Sequence, residues 1–125
     1  MRPARTEPAS ILHALRVAAE RYPERPAVSC RGRTLAYREL ARAVLALGAR
    51  LQSRGAAGQC VLVALPTSIE AVVAVLGAFA AGARAAPLNP FLTGSELSGL
   101  LPEIDARLAI VGADAEQKLA ALSGH

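Results

Sequence analysis

The residues that could carry out chemistry are few, and they are scattered along the chain. His13 and His125 are the two histidines, and neither has a cysteine or carboxylate nearby at metal-ligand spacing. Cys30 and Cys60 are too few for a disulfide scaffold or a four-cysteine zinc site. A single bridge between them is left open, but we expect two reduced, partly buried thiols. The sequence therefore predicts no metal site.

Two pairs of glycines have the spacing of a phosphate-binding loop but lack the residues that must follow. Such a loop needs Gly, four residues and then Gly-Lys-Ser or Gly-Lys-Thr. Gly77 and Gly82 are followed by Ala83, and Gly94 and Gly99 are followed by leucine. Neither a G-x-G-x-x-G dinucleotide motif nor a G-x-S-x-G nucleophile motif is present. These motifs therefore assign no catalytic or nucleotide-binding residue.

Hydroxyl and carboxylate side chains stand where two helices are expected to begin. Thr67 with Glu70, and Thr93 with Glu96, have the spacing of a capping box, in which side chains satisfy the first amides of a helix. We interpret both glutamates as helix caps rather than acid–base catalysts. Thr67 and Ser68 also lie at a strand-to-helix turn, where an anion can bind, although every parallel α/β unit has several such turns.

The spacing of apolar residues predicts an α/β fold over residues 10–125, after an N-terminal tail at 1–9. Strands and helices alternate with short links, which favours a mostly parallel sheet with right-handed crossover helices. Residues 60–65 and 107–111 are continuous apolar runs, typical of strands covered on both faces. The predicted elements are helices at 8–22, 37–54, 68–82, 93–104 and 114–122, a short β-hairpin at 26–37, and strands at 60–65, 85–87 and 107–111.

The helix predicted over residues 68–82 has no charged residue after Glu70. A helix that is apolar all round must be covered all round, and a chain of 125 residues has few places to hide one. We therefore expect further protein against this helix. The cover could come from the remainder of a parent enzyme, a complementary subunit or a second copy of the chain. The alternative is an alanine-rich surface helix that tolerates water.

Charge and hydropathy exclude several classes of protein. The net charge is +4, and residues 1–54 hold 11 of the 14 basic residues. Those on the helix at 37–54 lie opposite an apolar face, as on an ordinary surface helix, and no aromatic residues stand between them to stack bases. The longest strongly apolar stretch, residues 71–83, is shorter than the roughly 20 residues of a membrane span. We expect no nucleic-acid partner, no membrane span and a cytoplasmic location.

Three segments, in this order, resemble the N-terminal part of the AMP-forming adenylate synthetases, and among these most closely the acyl-CoA synthetases. They are residues 37–40 (Tyr-Arg-Glu-Leu), the helix start at 66–70 and the turn at 87–90 (Pro-Leu-Asn-Pro). The likeness extends from about residue 10 to residue 114. Asn89 favours acyl-CoA ligases over peptide-synthetase modules, which more often have Asp there. The chain departs from the family at three positions. It has Ala36 where the family more often has Thr, Gln59 where it more often has Asp, and Thr67 where it more often has Asn.

The resemblance implies an enzyme that joins a carboxylic acid to the AMP of ATP, with loss of pyrophosphate, and passes the acyl group to the thiol of CoA. Mg²⁺ would screen the phosphates. It also implies that this segment is part of a larger, layered αβαβα N-terminal domain and ends before the phosphate loop. ATP, Mg²⁺ and CoA would be held by the rest of the parent enzyme, so no catalytic, cofactor-binding or metal-binding residue is assigned here.

From the resemblance we expect the isolated chain to be a scaffold without activity. One alternative is a stand-alone interaction module that pairs with another chain, for example to complete a split synthetase. Another is a basic nucleic-acid binder, whose affinity would fall steeply with salt.

Overall fold

A computed structural model describes residues 11–112, which form an α/β arrangement with one antiparallel hairpin and one parallel sheet. The elements follow the predicted order, with a short 3₁₀ helix at Leu101–Glu103 before the last strand. They are α1 (Ile11–Arg21), β1 (Pro26–Cys30), β2 (Arg33–Ala36), α2 (Tyr37–Ser53), β3 (Cys60–Ala64), α3 (Ile69–Ala80), β4 (Arg84–Pro87), α4 (Gly94–Leu100) and β5 (Ala106–Val111).

The parallel sheet has the strand order β4-β3-β5. Val61 of β3 lies opposite Ala85 on one side and Leu108 on the other. Residues 61–64 of this central strand are all buried, which explains why their sequence is apolar without alternation. The predicted α/β fold with parallel strands and crossover helices is confirmed.

Strand β5 is covered on one face by the described residues. Its residues alternate between exposed and half-buried positions, and Arg107 and Ala109 are exposed. Successive side chains of a strand lie on opposite faces of the sheet, so the exposed residues share one face. Leu108 and Ile110 lie on the other face and pack against a buried cluster. The predicted cover on the second face of the run at 107–111 is therefore not supplied by residues 11–112.

Helix α3 lies between two layers. Its Ala74 and Ala78 pack with Val61 and Val63 of the sheet in one buried cluster. Its Leu76 belongs to a second buried cluster, in which the other members come from α1 and α2: Leu15, Leu40 and Val44. Half-buried residues of the hairpin, Val28 and Leu35, pack against that second cluster.

Much of the cover of α3 therefore comes from the chain itself, from the sheet on one side and from α1 and α2 on the other. Within α3, Glu70 and Phe79 are exposed, and the exposed fraction of Phe79 is 39%. Other residues of α3, such as Val72 and Val75, are half-buried, so residues 11–112 do not cover the helix completely. A further layer of protein against α3 stays a prediction.

Two glycines set the distance between α2 and α3. A Cβ atom added to Gly77 would lie 2.7 Å from Cδ2 of Leu47. A Cβ atom added to Gly48 would lie 2.8 Å from Cβ of Ala80. Both distances are shorter than van der Waals contact. Gly77 and Gly82 have the spacing of a phosphate-binding loop, but Gly77 is a packing residue between two helices.

The helix beginnings differ in how completely they are capped. Thr93 and Glu96 form both hydrogen bonds of the predicted capping box at α4. At α2, the Glu39 carboxylate accepts from the Ala36 amide at 2.8 Å, but Ala36 has no side-chain oxygen to return the contact. Half of a capping box is thus present at α2.

The remaining differences concern element ends. The helix predicted over 93–104 ends at Leu100 and continues as a 3₁₀ turn around Pro102, because proline has no amide hydrogen to continue an α-helix. The hairpin turn is confirmed, with left-handed φ angles of 53° at Arg31 and 80° at Gly32. The tail at 1–9 and the helix predicted at 114–122 lie outside the described residues.

Two further predictions can be compared with residues 11–112. Cys30 and Cys60 are free and half-buried, as expected. No helix in this range is long and apolar enough to cross a membrane.

Replacing Gly77 by Ala should destabilise the chain. Overpacking of this kind costs about 1–3 kcal/mol, whereas exchanging Gly for Ala inside a helix contributes only about 1 kcal/mol in the other direction. We expect a net loss near 1 kcal/mol, measured by urea unfolding followed by circular dichroism. Gly99→Ala is the matched control, because a Cβ there meets no atom within 4 Å. A Gly77→Ala variant as stable as Gly99→Ala would contradict the close contact.

Replacing Ala36 by Thr should stabilise the chain by about 1 kcal/mol. The backbone of Ala36 has φ −74° and ψ 163°, an extended conformation suited to an N-cap threonine. Its hydroxyl would accept from the Glu39 amide and complete the box. The control is Ala36→Val, which has the shape of threonine without the hydroxyl. Equal midpoints of thermal unfolding for the two variants would show that the hydroxyl makes no cap.

Candidate functional site

The carboxyl ends of the parallel strands are the place where an open α/β sheet most often binds ligands. The chain leaves β3 through α3 to reach β4 on one side, then passes through α4 to β5 on the other side. The direction of the connections therefore reverses at β3. The candidate site consists of the β3–α3 loop at residues 65–68 and the turn after β4 at residues 88–92.

The β3–α3 loop is organised by Ser68. Its hydroxyl donates to the Pro66 carbonyl at 2.8 Å and accepts from the Ala71 amide at 3.1 Å. Ser68 is therefore the N-cap of α3, and the predicted capping box of Thr67 with Glu70 is wrong by one residue. With Ser68 as cap, the third helical residue is Ala71, so Glu70 is not at the position that reaches back to the cap.

Glu70 instead forms an ion pair with the hairpin. Its Oε2 atom lies 2.6 Å from Nη1 of Arg33, and both side chains are largely exposed. The hydrogen bond from Arg33 is the main cause that holds the pKa of the Glu70 carboxyl below its usual range, with help from the backbone amide of Glu70. The same pairing raises the pKa of Arg33.

A second contact joins the hairpin to the same loop. The Cys30 thiol lies 3.9 Å from the Thr67 carbonyl oxygen. The hairpin tip is thus held at the start of α3 by Arg33 and Cys30 together. Sequence reasoning missed both contacts because each joins residues 37 positions apart, a separation that no local spacing rule covers.

The loop does not fit the phosphates of a nucleotide. The Ser68 hydroxyl already uses its donor and one acceptor position inside the loop. Glu70 places a carboxylate in the first turn of α3, where it interacts favourably with the helix dipole and repels another anion. The anion site considered at Thr67 and Ser68 is therefore not supported. Residues 11–112 also contain no group of three or more His, Cys, Asp or Glu that could hold a metal.

The turn after β4 is stabilised by Asn89. Its Oδ1 atom accepts from the Phe91 amide at 2.9 Å, which is the hydrogen bond of an Asx turn. An aspartate at this position would offer the same acceptor. The hydrogen bond of Asn89 therefore does not distinguish an acyl-CoA ligase from a peptide-synthetase module.

The other residues singled out by the sequence do not meet at this edge. His13 lines a groove between α1 and α2, in the layer on the far side of α3 from the sheet. Gly82 has a left-handed φ of 79° in the turn that ends α3. Glu96 caps α4. Within residues 11–112 the candidate site thus contains packed and internally bonded loops, without a nucleophile held by a base.

The chain is similar in sequence to AMP-binding enzymes and to two synthetases or ligases of known name. A family model described as AMP-binding enzyme matches residues 15–124. AMB antimetabolite synthetase AmbB of Pseudomonas aeruginosa is 35% identical over 111 residues, which are 88% of this chain and 9% of that protein. 4-coumarate-CoA ligase 1 of Narcissus pseudonarcissus is 33% identical over 93 residues, or 74% of this chain and 17% of that protein.

Solved structures show the same fold. A Mycobacterium tuberculosis fatty acyl CoA synthetase superposes with a TM-score of 0.79 at 25% identity, covering 92% of this chain and 24% of that chain. The N-terminal subdomain of Klebsiella oxytoca NpsA superposes with a TM-score of 0.74 at 27% identity, covering 82% of this chain and 27% of that one. The chain therefore spans about a quarter of these structures and less than a fifth of the two relatives above.

Loss of the Arg33 guanidinium should raise the pKa of Glu70 towards its ordinary value. The pKa of Glu70 is lower in the folded state than in the unfolded state. The ion pair therefore stabilises the fold fully at pH values above the unfolded pKa, and this stabilisation is lost as the pH falls through the folded pKa. We expect Arg33→Gln to shift the NMR titration of Glu70 to higher pH. Arg31→Gln, in the turn of the same hairpin, is the control. An unchanged Glu70 titration in Arg33→Gln would show that the ion pair does not form in solution.

Asn89→Asp should leave the free energy of unfolding within about 0.5 kcal/mol of the parent, whereas Asn89→Ala should lower it by about 1 kcal/mol. Aspartate keeps the oxygen that accepts from Phe91, and alanine removes it. Urea unfolding of the three proteins measures both differences. If aspartate were as damaging as alanine, the amide group of Asn89 would have a role beyond the turn.

Proposed function

This chain belongs to the AMP-binding enzyme family, and on that premise we propose that it is an N-terminal scaffold segment of an ATP-dependent ligase. The parent enzyme would activate a carboxylic acid as acyl-AMP with release of pyrophosphate. It would then transfer the acyl group to the thiol of CoA. The observation that supports this proposal most directly is the family match over residues 15–124, in a chain that superposes on an N-terminal subdomain.

The contribution of this segment is packing rather than chemistry. Ser68 and Glu70 are engaged inside the β3–α3 loop and with the hairpin. The described loops therefore orient each other at the carboxyl edge of the sheet. The groups that bind ATP and Mg²⁺ would come from the remainder of the parent enzyme, and no step of the reaction is assigned to residues 11–112.

CoA is proposed as the acceptor because two of the similar proteins are named for CoA chemistry, 4-coumarate-CoA ligase 1 and the fatty acyl CoA synthetase. A nonribosomal peptide synthetase is the second candidate for the parent enzyme, since CymA of Salinispora arenicola, a probable non-canonical nonribosomal peptide synthetase, is 33% identical over 83% of this chain and 1% of its own length. The contact of Asn89 in the turn does not separate the two candidates.

A stand-alone module that completes another chain is a different kind of function, and the sheet gives one observation in its favour. Among the described residues, the outer edges of β4 and β5 have no paired strand. A complementary subunit could supply the missing strand as well as a longer parent chain could. The coding DNA beyond codon 125 distinguishes them: a Ser/Thr/Gly-rich segment with Lys favours the parent enzyme, and unrelated sequence favours the module.

The arginines of the first half of the chain are partly used within the fold. Arg33 pairs with Glu70, and Arg38 pairs with Glu24 at 2.9 Å. The Arg25 guanidinium lies 4.3 Å from the centre of the Tyr22 ring. This arrangement favours a solvated, internally paired surface over a nucleic-acid contact, so nucleic-acid binding is not part of the proposal.

The purified 125-residue chain should not catalyse exchange of pyrophosphate into ATP with a mixture of carboxylic acids, because Ser68 and Glu70 of the candidate site are engaged within the fold. A protein expressed from the whole downstream reading frame should catalyse it, and should form a thioester when CoA is added. Exchange by the 125-residue chain alone would contradict the scaffold role. Exchange by the longer protein without acylation of CoA would leave the AMP-forming part intact and contradict CoA as acceptor.

The longer protein also provides a test of the packing role. Val63→Asp, which places a charge in the buried sheet, should abolish exchange through loss of folding. Ser98→Asp, at an exposed position of α4, is the control and should retain it. An active Val63→Asp enzyme would show that this segment is dispensable for the reaction.

A further inference from the structure

We draw no further inference here: the strongest candidate, the apolar groove of about 460 Å³ between α1 and α2, has both Arg16 and Glu20 along its lining and carries nothing because nothing in the structure shows what covers it.

Discussion

The close approach of α2 to α3 is the contact on which the described structure depends. Gly48 and Gly77 remove two Cβ atoms from the crossing, and the space they leave is filled by Ala80 and Leu47. Without that approach, the second buried cluster, which joins α3 to α1 and α2, would open to water. Interiors packed to this density tolerate little added volume, so one methyl group is enough to disturb the arrangement of layers.

Much of the fold can be predicted from local patterns because local chemistry decides it. The unbroken apolar run at 60–65 indicated a buried strand, and β3 is that strand. Thr93 and Glu96 indicated a helix start, since both hydrogen bonds of a capping box join residues three apart. Gly32 indicated the hairpin turn, whose left-handed backbone suits glycine.

The parts that could not be predicted are those that depend on residues distant in sequence. The role of Gly77 becomes visible only when Leu47 of another helix lies against it. The spacing of Glu70 from Thr67 predicts a helix cap, but the fold brings Arg33 to Glu70 instead. The candidate site follows the same rule. The family resemblance places the segment within a larger enzyme, whereas the partners of Ser68 and Glu70 follow from the three-dimensional fold.

The strand β4 has a consequence for the behaviour of this segment as a separate molecule. It is four residues long, begins with the exposed Arg84 and ends with Pro87, which has no amide hydrogen. Short length, charge and proline are the features by which natural sheets avoid joining edge to edge with identical copies. The β4 edge of the sheet is therefore protected against edge-to-edge stacking of the amyloid kind. Strand β5 has six residues, of which Arg107 alone is charged. Among residues 11–112, the β5 edge is therefore the more prone of the two to pair with another copy of the chain.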